Sequence, residues 1–368
     1  MEFELVKYPH DWDRIAPDWL QLFQHCPRPC VFYHPLFLEA AVGFFEEPPT
    51  HFILGYQDQK LSFGLPVHLK KRWGIINQIN IFQGVGFDHL APLDITPGFT
   101  ATQSFFESMG DLHDFLIFQG GSLDSGFIKL LATISRSPRY HLVTRRVFGC
   151  PYLSLPSSQE ELLAILDKNF QPNLSRSLRK AQKANIEFRF LTGSGPTYNF
   201  LDAFHNLGTL HAERFQSLGR PSKFLAATPQ QYYGRICEKA DHFQDIIWFT
   251  EAMHQDQVIG SLFGFLTKAR FHYYQMGFSS QYDKYSLGTL LLYQTMVALI
   301  QREIYLFDFL RGMDPYKSKW TRTAEEDYWG ILGISGLGRL ALEWLRLERS
   351  RKRHGRLTGI LYRIANRD

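Results

Sequence analysis

The stretch that decides the fold of this sequence is residues 307–320, Phe-Asp-Phe-Leu-Arg-Gly-Met-Asp-Pro-Tyr-Lys-Ser-Lys-Trp. Residues 304–309 are apolar or aromatic except for Asp308, which is the pattern of a strand covered on both faces. A carboxylate in such a strand needs a partner or a place at the strand's end, and Arg311 is the partner we expect. Gly312 permits a tight turn, and Pro315 can open a short helix. The stretch therefore predicts a polar cluster at the carboxyl end of a buried strand, where ligands bind in open α/β sheets.

This cluster has two interpretations that the stretch alone leaves open. In the functional one, Arg311 fixes the orientation of Asp308, and Lys317 reaches an anionic or carbonyl group of a substrate. In the structural one, Asp308 and Arg311 form an ion pair, and the lysines beyond them are solvated.

Composition limits the class of protein. The 368 residues exceed what a single core usually supports, so two domains are expected. A hydrophobic fraction of 45% with an aromatic fraction of 15% argues against disorder. The net charge of +4 argues against a dedicated nucleic-acid binder but permits an anionic small-molecule ligand.

The predicted location is the cytoplasm. The N-terminus lacks the basic and apolar regions of a signal peptide, and no run of apolar residues reaches the length of a membrane span. The cysteines are scattered and lack zinc-type spacing, so we expect free thiols in a reducing compartment and no metal site. These cysteines are Cys26, Cys30, Cys150 and Cys237.

The order of predicted elements repeats along the chain. Each half shows helices, then three strands, then a helix and a further strand, and short turns at 58–59 and 255–257 join the first two strands of each set. Internal repetition of this kind indicates two domains of one plan. We therefore predict an α+β fold with tandem domains at 1–154 and 155–335, each a mostly antiparallel mixed sheet flanked by helices, and a basic amphipathic helix at 336–368.

Five segments of the second half together resemble a known family. They are Asn-Leu-Ser-Arg-Ser-Leu-Arg-Lys (173–180), Leu-His-Ala-Glu-Arg-Phe (210–215), Val-Ile-Gly (258–260), Tyr282 with Ser-Leu-Gly-Thr-Leu-Leu (286–291), and Asp-Phe-Leu-Arg-Gly (308–312). In this order they resemble the CelD/BcsL-like acetyltransferases associated with bacterial cellulose and capsule biosynthesis, a branch of the GNAT superfamily close to the Fem-type peptidyltransferases. The resemblance covers less than half of the chain.

The resemblance implies two tandem GNAT-like domains that face one another across a cleft. The first would have a scaffold and acceptor-shaping role, and the second would bind the acyl donor. It implies acetyl-CoA or another acyl-CoA as this donor, with no metal. The implied acceptor is an amine, such as an amino sugar or another precursor in polysaccharide biosynthesis.

The start of one predicted helix fits such a donor. Ser286 is a candidate N-cap and Gly288 leaves backbone exposed in the first turn, so N–H groups and the helix dipole could hold a pyrophosphate. A Ser-x-Gly sequence at a helix start is also an ordinary cap, and that alternative stays open. The predicted cofactor-binding residues are Tyr285, Ser286, Leu287, Gly288 and Thr289.

Acylation of an amine needs a base, hydrogen-bond donors for the oxyanion and a proton for the leaving thiolate. We expect Asp308 or Glu213 as the base and a tyrosine as the acid. The predicted catalytic residues are Asp308, Glu213, Tyr274 and Lys317. The predicted substrate-binding residues are Arg176, His211, Arg214, Tyr273, Arg311, Tyr316 and Trp320. Structural alternatives stay open, including a solvated Glu213–Arg214 pair and a core role for the tyrosines.

Three functions fit the sequence. The first is an acyl-CoA-dependent N-acyltransferase. The second is a Fem-type transferase whose donor is aminoacyl-tRNA, for which the basic segments 176–183 and 316–320 are the attraction. The third is a non-catalytic double-GNAT module that only binds a ligand or partner. The Arg-rich helix at 336–368 is compatible with an anionic membrane surface, with RNA or with ordinary packing.

Overall fold

The structure, a computed structural model, describes most of the chain. The described residues are 2–45, 47–72, 75–82, 93–94, 113–122, 131–132, 135, 140–192, 199–239, 246–338 and 340. The predicted basic helix at 336–368 therefore lies almost wholly outside the described residues.

The first part of the chain supplies two helices and most of one half of the sheet. In chain order its elements are β1 (Glu2–Lys7), α1 (Trp12–His25), α2 (Pro35–Ala41), β2 (His51–Gln57), β3 (Lys60–Arg72), β4 (Ile76–Ile81), β5 (Leu93–Asp94), β6 (Phe115–Ser122) and β7 (His141–Ser154). The predicted turn at 58–59 is confirmed, because Asp58 and Gln59 both have positive φ, as a two-residue hairpin requires.

The second part is richer in helix. In chain order its elements are α3 (Gln159–Ile165), α4 (Gln171–Lys183), β8 (Glu187–Thr192), α5 (Phe200–Ser217), α6 (Ala227–Lys239), β9 (Ile247–His254), β10 (Gln257–Thr267), β11 (Arg270–Phe278), α7 (Leu287–Ile300), β12 (Leu306–Asp308) and β13 (Ala324–Gly333). Short 3-10 helices lie at Ser280–Tyr285 and Lys317–Lys319. Strand β13 was not predicted.

The strands form one mixed sheet. Its order is β1-β2-β3-β4-β6-β13-β7-β12-β11-β10-β9-β8, with β5 paired to β3 beside that path. The described neighbours are antiparallel except for β4 with β6 and β11 with β12. The predicted fold class is confirmed, because the chain forms a mixed, largely antiparallel sheet flanked by helices.

The last strand returns into the first part of the sheet. β13 is hydrogen-bonded between β6 and β7. β7 pairs with β13 through residues 141–151 and with β12 through residues 152–154, so one long strand serves both parts. The predicted domain bounds of 1–154 and 155–335 stay a prediction.

Different helices cover the two faces of the second part of the sheet. Ile247 and Phe249 of β9 enter a core with residues of α1, α2, α5 and α6. Trp248, between them in sequence, enters a second core with residues of α4 and α7. Because successive strand residues face opposite sides, α5 and α7 pack on opposite faces of the sheet.

Strands β11 and β12 separate soon after they pair. Their parallel register ends at His272 and Asp308 in the described chain. The Leu310 backbone N–H donates to Asp308 Oδ1 at 2.8 Å, and Leu310 has a φ of 55°, so the chain turns away from the sheet at this point. The pairing of the two strands thus ends beside Tyr273, the next residue of β11, and we call this place the opening between β11 and β12.

The described part of the chain contains neither a membrane-spanning helix nor a cluster of metal-binding side chains. No helix in it is both long and apolar enough to cross a membrane. No group of three or more His, Cys, Asp or Glu side chains in it is arranged to hold a metal ion. The cytoplasmic location and the absence of a metal stay predictions.

Candidate active site

Two tyrosines meet at the opening between β11 and β12. Tyr273 belongs to β11 and Tyr316 precedes the 3-10 helix Lys317–Lys319, and each hydroxyl affects the pKa of the other. Burial raises the pKa of both hydroxyls, while the positive charge of Arg214 opposes the rise. Both tyrosines are therefore protonated at neutral pH, as a proton donor has to be.

Tyr274 lies on the other face of β11. Its ring centroid is 4.8 Å from that of Tyr233, and it also packs against Phe263 and Phe265. Burial raises the pKa of Tyr274 to about 12. The predicted catalytic role of Tyr274 receives no support from this position, because the tyrosine at the opening is its neighbour Tyr273.

Asp308 is fully buried and pairs with Arg270. Arg270 Nε donates to Asp308 Oδ2 at 3.0 Å, and Arg270 Nη2 donates to the same oxygen. The predicted Asp308–Arg311 pair is wrong, because the parallel register of β11 and β12 brings Arg270 beside the carboxylate instead. A carboxylate held by a guanidinium inside the protein is poorly suited to be the base.

Arg311 has a different carboxylate partner. Arg311 Nε donates to Asp327 Oδ2 at 2.7 Å, and the thiol of Cys150 donates to the same oxygen at 3.3 Å. The guanidinium lies so close to Gly120 that a Cβ atom there would be 1.5 Å from Nη2. Arg311 thus connects the segment after β12 with β13, and its predicted contact with a substrate receives no support.

Lys317 points into the protein. Its Nζ donates to the carbonyl oxygens of Phe309 at 2.9 Å and Arg311 at 3.0 Å, and lies 3.5 Å from Asp314 Oδ2. Burial lowers the pKa of Lys317. Two of the three ammonium protons are donated to backbone carbonyls and the ammonium forms an ion pair with Asp314, so Lys317 holds the loop after β12 and its predicted contact with a substrate receives no support.

Glu213 fixes the end of α5 to the loop after β11. Its Oε1 accepts hydrogen bonds from Ser279 Oγ at 2.8 Å, from the Ser280 backbone N–H at 3.0 Å and from Ser280 Oγ at 3.2 Å. The side chain is half-buried. The structure does not contain the alternative, a solvated Glu213–Arg214 pair, because Glu213 binds the loop instead.

Arg214 and His211 lie on the same last turns of α5. The Arg214 guanidinium is 4.3 Å from the centroid of the Phe278 ring. His211 is buried, with Nδ1 2.8 Å from Ser222 Oγ and its ring stacked on Phe215. Burial and the charge of Arg214 lower the pKa of His211 to about 4, so this imidazole is neutral at pH 7. Its burial makes His211 a support for the site rather than a surface that binds substrate.

A cavity of about 350 Å³ opens at the start of α7. The Thr289 and Leu290 backbone N–H groups donate to the Ser286 carbonyl. The backbone N–H groups of Leu287 and Gly288 have no acceptor among the described residues. The residues that line the cavity are Asp167, Asn169, Phe170, Asn173, Leu174, Ser177, Ser286, Thr289, Ser318 and Lys319. This wall is about half polar and half apolar, carries one lysine and one aspartate, and includes a helix N-terminus.

The first residues of α7 differ from the prediction in two respects. Ser286 occupies the predicted N-cap position with a φ of 58°, but its hydroxyl makes no capping hydrogen bond. A Cβ atom at Gly288 would lie 2.8 Å from the Phe278 ring. Gly288 is therefore needed so that the helix can pack on β11, whatever binds beside it.

Three other predicted residues have structural or peripheral positions. Trp320 is 4% exposed and packs edge-on against Phe170 in the core, so it offers no surface to a substrate. Arg176 is exposed on α4, where Nη1 donates to Asn173 Oδ1 at 3.4 Å. Tyr285 is half-buried, with Lys284 Nζ 5.0 Å from its ring centroid.

Several residues of the site were missed by sequence reasoning. They are Asn169, Asn173, Ser177, Lys319, Arg270 and Asp327. Asn173 and Ser177 stand four positions apart in a predicted helix, and this spacing is a signal that could have placed both on one face. Arg270 offers no such signal, because its partner is 38 positions away in the chain.

The second half of the chain matches a known domain. Residues 168–318 match the family model described as an acetyltransferase (GNAT) domain, which is less than half of the chain. The broader part of the predicted resemblance, a GNAT acetyltransferase domain, is confirmed by this match. The match does not show that the chain belongs to the CelD/BcsL-like branch. No curated protein matches the chain.

Solved structures share the fold over most of the chain. FemX has a TM-score of 0.61 at 8% identity, over 90% of this chain and 97% of FemX. The C-terminal (DUF2156) domain of a protein described as a lysylphosphatidylglycerol synthetase from Agrobacterium fabrum has a TM-score of 0.54 at 11% identity, over 90% and 95%. L-PGS from Bacillus licheniformis has a TM-score of 0.51 at 10% identity, over 80% and 91%. At these identities the similarity establishes the fold alone.

Proposed function

We propose that the protein is an N-acyltransferase that moves an acyl group, most simply acetyl, from an acyl-CoA to an amine. The observation that carries the proposal is the pair of N–H groups at Leu287 and Gly288, which have no acceptor among the described residues and lie at the start of α7 beside the cavity. The GNAT domain match over residues 168–318 supports the same class of reaction.

The cavity fits the diphosphate of such a donor. α7 is 14 residues long, so its N-terminus carries the partial positive charge that favours an anion. Lys319 adds a full positive charge in the cavity wall, and Asn173, Ser177 and Thr289 offer neutral hydrogen-bonding groups. The acyl end of the donor would extend toward Tyr316, which precedes the segment that supplies Lys319.

The proposed chemistry is direct transfer. The amine nitrogen attacks the thioester carbonyl carbon, so a C–N bond forms and the C–S bond breaks. Glu213 is the proposed base for the amine proton, because three donors to Oε1 fix the carboxylate in place while Oε2 accepts no hydrogen bond from the described residues. Tyr273 or Tyr316 supplies a proton to the departing thiolate.

Calorimetric titration of CoA into variants of the cavity wall tests the donor site. Ser177→Asp places a negative charge against the diphosphate and should weaken CoA binding by about tenfold or more, which is roughly 1.4 kcal/mol. Ser177→Asn is the matched neutral control and should change the affinity little. Lys319→Gln should weaken binding and reduce its salt dependence. Equal affinity for the Asp and Asn variants would show that CoA does not bind in this cavity.

One observation favours the second candidate, a transferase whose donor is aminoacyl-tRNA. α4 carries a stripe of exposed basic residues beside the cavity, and no acidic side chain in the described chain forms an ion pair with them. The stripe consists of Arg176, Arg179, Lys180 and Lys183. Melting temperatures with CoA and with charged tRNA separate the two candidates, since a ligand that binds only the native state raises the melting temperature. If neither raises it, the third function, a binding module of other specificity, is favoured.

The acceptor is proposed from the resemblance rather than from the site. An amino sugar or another precursor of a surface polymer is the first candidate. A peripheral contact of residues 336–368 with an anionic membrane is a further proposal that rests on sequence alone.

A further inference from the structure

Three of the cations predicted to contact a substrate are Arg214, Arg311 and Lys317. Two of these already have partners within the protein. Arg311 is paired with Asp327. Lys317 donates hydrogen bonds to two backbone carbonyls and forms an ion pair with Asp314. Arg214 is the third, and no carboxylate in the described part of the chain forms an ion pair with it.

The position of Arg214 is fixed by its neighbours. The adjacent Glu213 ties the end of α5 to the loop after β11 through Ser279 and Ser280. The central carbon of the Arg214 guanidinium then lies over the Phe278 ring, 4.3 Å from its centroid. A guanidinium stacked on an aromatic ring keeps its N–H edge available for a planar anion.

Arg214 also acts on the tyrosine pair. Its positive charge opposes the rise in the pKa of Tyr273 and of Tyr316 that burial produces. An anion bound by Arg214 would therefore be within electrostatic reach of both hydroxyls.

Arg214 does not line the donor cavity. The cavity is lined by residues of α4, α7 and the segment around Ser318, and Arg214 is not among them. Arg214 projects from α5 and reaches the Phe278 ring, which a Cβ atom at Gly288 would approach to 2.8 Å. An anion on Arg214 would therefore stand near the start of α7 but outside the wall of the donor cavity.

We propose that Arg214 is the anion subsite for the acceptor, so that the amine substrate carries a carboxylate or a phosphate group near its amine. This proposal rests on the proposed N-acyltransferase function. The shared chemistry is a planar or tetrahedral oxyanion that accepts two hydrogen bonds from one guanidinium. A neutral amine of the same size lacks this contact and is a poorer acceptor.

The test measures the melting temperature with pairs of product-like compounds that differ only in charge. N-acetylglycine is compared with N-acetylglycinamide, and N-acetylglucosamine 6-phosphate with N-acetylglucosamine, each with and without saturating CoA. The proposal predicts that at least one anionic compound stabilises the wild-type protein more than its neutral twin. The pair that shows the difference identifies the carboxylate or the phosphate as the recognised group.

Variants assign the effect to Arg214. Arg214→Gln should abolish the difference within the pair, Arg214→Lys should keep part of it, and Arg220→Gln, an exposed arginine beyond the end of α5, should leave it unchanged. In thiol-release assays with acetyl-CoA, Arg214→Gln should raise KM for glycine or glucosamine 6-phosphate at least about tenfold, with less effect for their neutral counterparts.

The outcomes separate this proposal from the function on which it rests. If no anionic compound stabilises the wild type more than its twin, or if Arg214→Gln keeps the full difference, the acceptor subsite is wrong. If the difference is present but CoA does not bind the wild type, the acyl-CoA function is wrong while the anion subsite stands. Unchanged CoA affinity in Arg214→Gln is expected, and a large loss would place Arg214 on the donor instead.

Discussion

Arg270 and Asp308 form a buried ion pair between the parallel strands β11 and β12, with Arg270 Nε 3.0 Å from Asp308 Oδ2. The same carboxylate accepts the Leu310 backbone N–H and so ends β12. The Asp308 side chain thus links β12 to β11 through Arg270, and it also ends the pairing of these strands by accepting the Leu310 N–H. The opening beside Tyr273 is a consequence of this arrangement.

The first prediction concerns the stability that this pair maintains. Arg270→Met leaves Asp308 as a buried carboxylate without its guanidinium, and we expect a loss of about 3 to 5 kcal/mol in the free energy of unfolding. Urea denaturation measures it. Arg14→Met removes an exposed partner of Glu4 and is the control, with an expected loss below about 1 kcal/mol. Similar losses in the two variants would contradict the structural role of the pair.

The second prediction concerns Lys317. Lys317→Met removes the donor to the carbonyls of Phe309 and Arg311, and we expect a loss of about 1 to 3 kcal/mol in the free energy of unfolding. Lys60→Met, at an exposed position, should be nearly neutral. A Lys317→Met protein with wild-type stability and no turnover would restore the predicted contact of Lys317 with a substrate.

The sequence predicted the order of elements better than it predicted which residues meet. Turn residues with positive φ at 58–59 and the alternation of helices and strands in the second half follow local rules, and these predictions hold. The helix predicted after the three strands of the first half lies outside the described residues. Partners across the sheet do not follow from local rules, because they depend on which strands become neighbours. Asp308 was therefore predicted to pair with Arg311 instead of Arg270, and the insertion of β13 between β6 and β7 was not predicted.

The choice between Tyr273 and Tyr274 shows a second limit. The two tyrosines are adjacent, and a shift of one residue exchanges the faces of a strand. The register of β10 with β11 shifts between Phe263 and Gly264, which pair with Gln275 and Tyr273. An irregularity of this kind has no clear signal in the sequence, so the face of each tyrosine could be decided only from the structure.

The third prediction uses these two faces. Tyr273→Phe or Tyr316→Phe should slow acyl transfer by about a hundredfold, because the leaving thiolate loses its proton donor, without a matching loss of CoA affinity. Tyr274→Phe is the matched control and should retain a rate close to that of the wild type. Single-turnover thiol release from acetyl-CoA provides the rates. A rate loss confined to Tyr274→Phe would contradict the placement of the acid at the opening.

The fourth prediction concerns acid stability. The folded-state pKa of His211 is about 4, below the ordinary value of about 6.5. Between these values the unfolded state binds more protons, so the free energy of unfolding falls as the pH decreases from about 6.5 to about 4. His34, whose pKa burial lowers to about 3, adds to the same trend.

Urea denaturation across this pH range should show a shallower fall for His211→Gln than for the wild type. His205→Gln changes an exposed histidine of the same helix and should keep the wild-type slope. An unchanged slope in His211→Gln would mean that the imidazole takes up its proton as readily in the folded protein as in the unfolded one.

The central claim is that an acyl-CoA donor binds with its diphosphate at the start of α7. The most direct measurement is an amide NMR titration of CoA into protein labelled with ¹⁵N-glycine, because Gly288 supplies one of the two N–H groups that have no acceptor among the described residues. The account predicts that the Gly288 resonance shifts strongly and saturably, while the resonances of Gly219, beyond the end of α5, and Gly234, on α6, do not move. Saturable CoA binding that leaves the Gly288 resonance in place would contradict it.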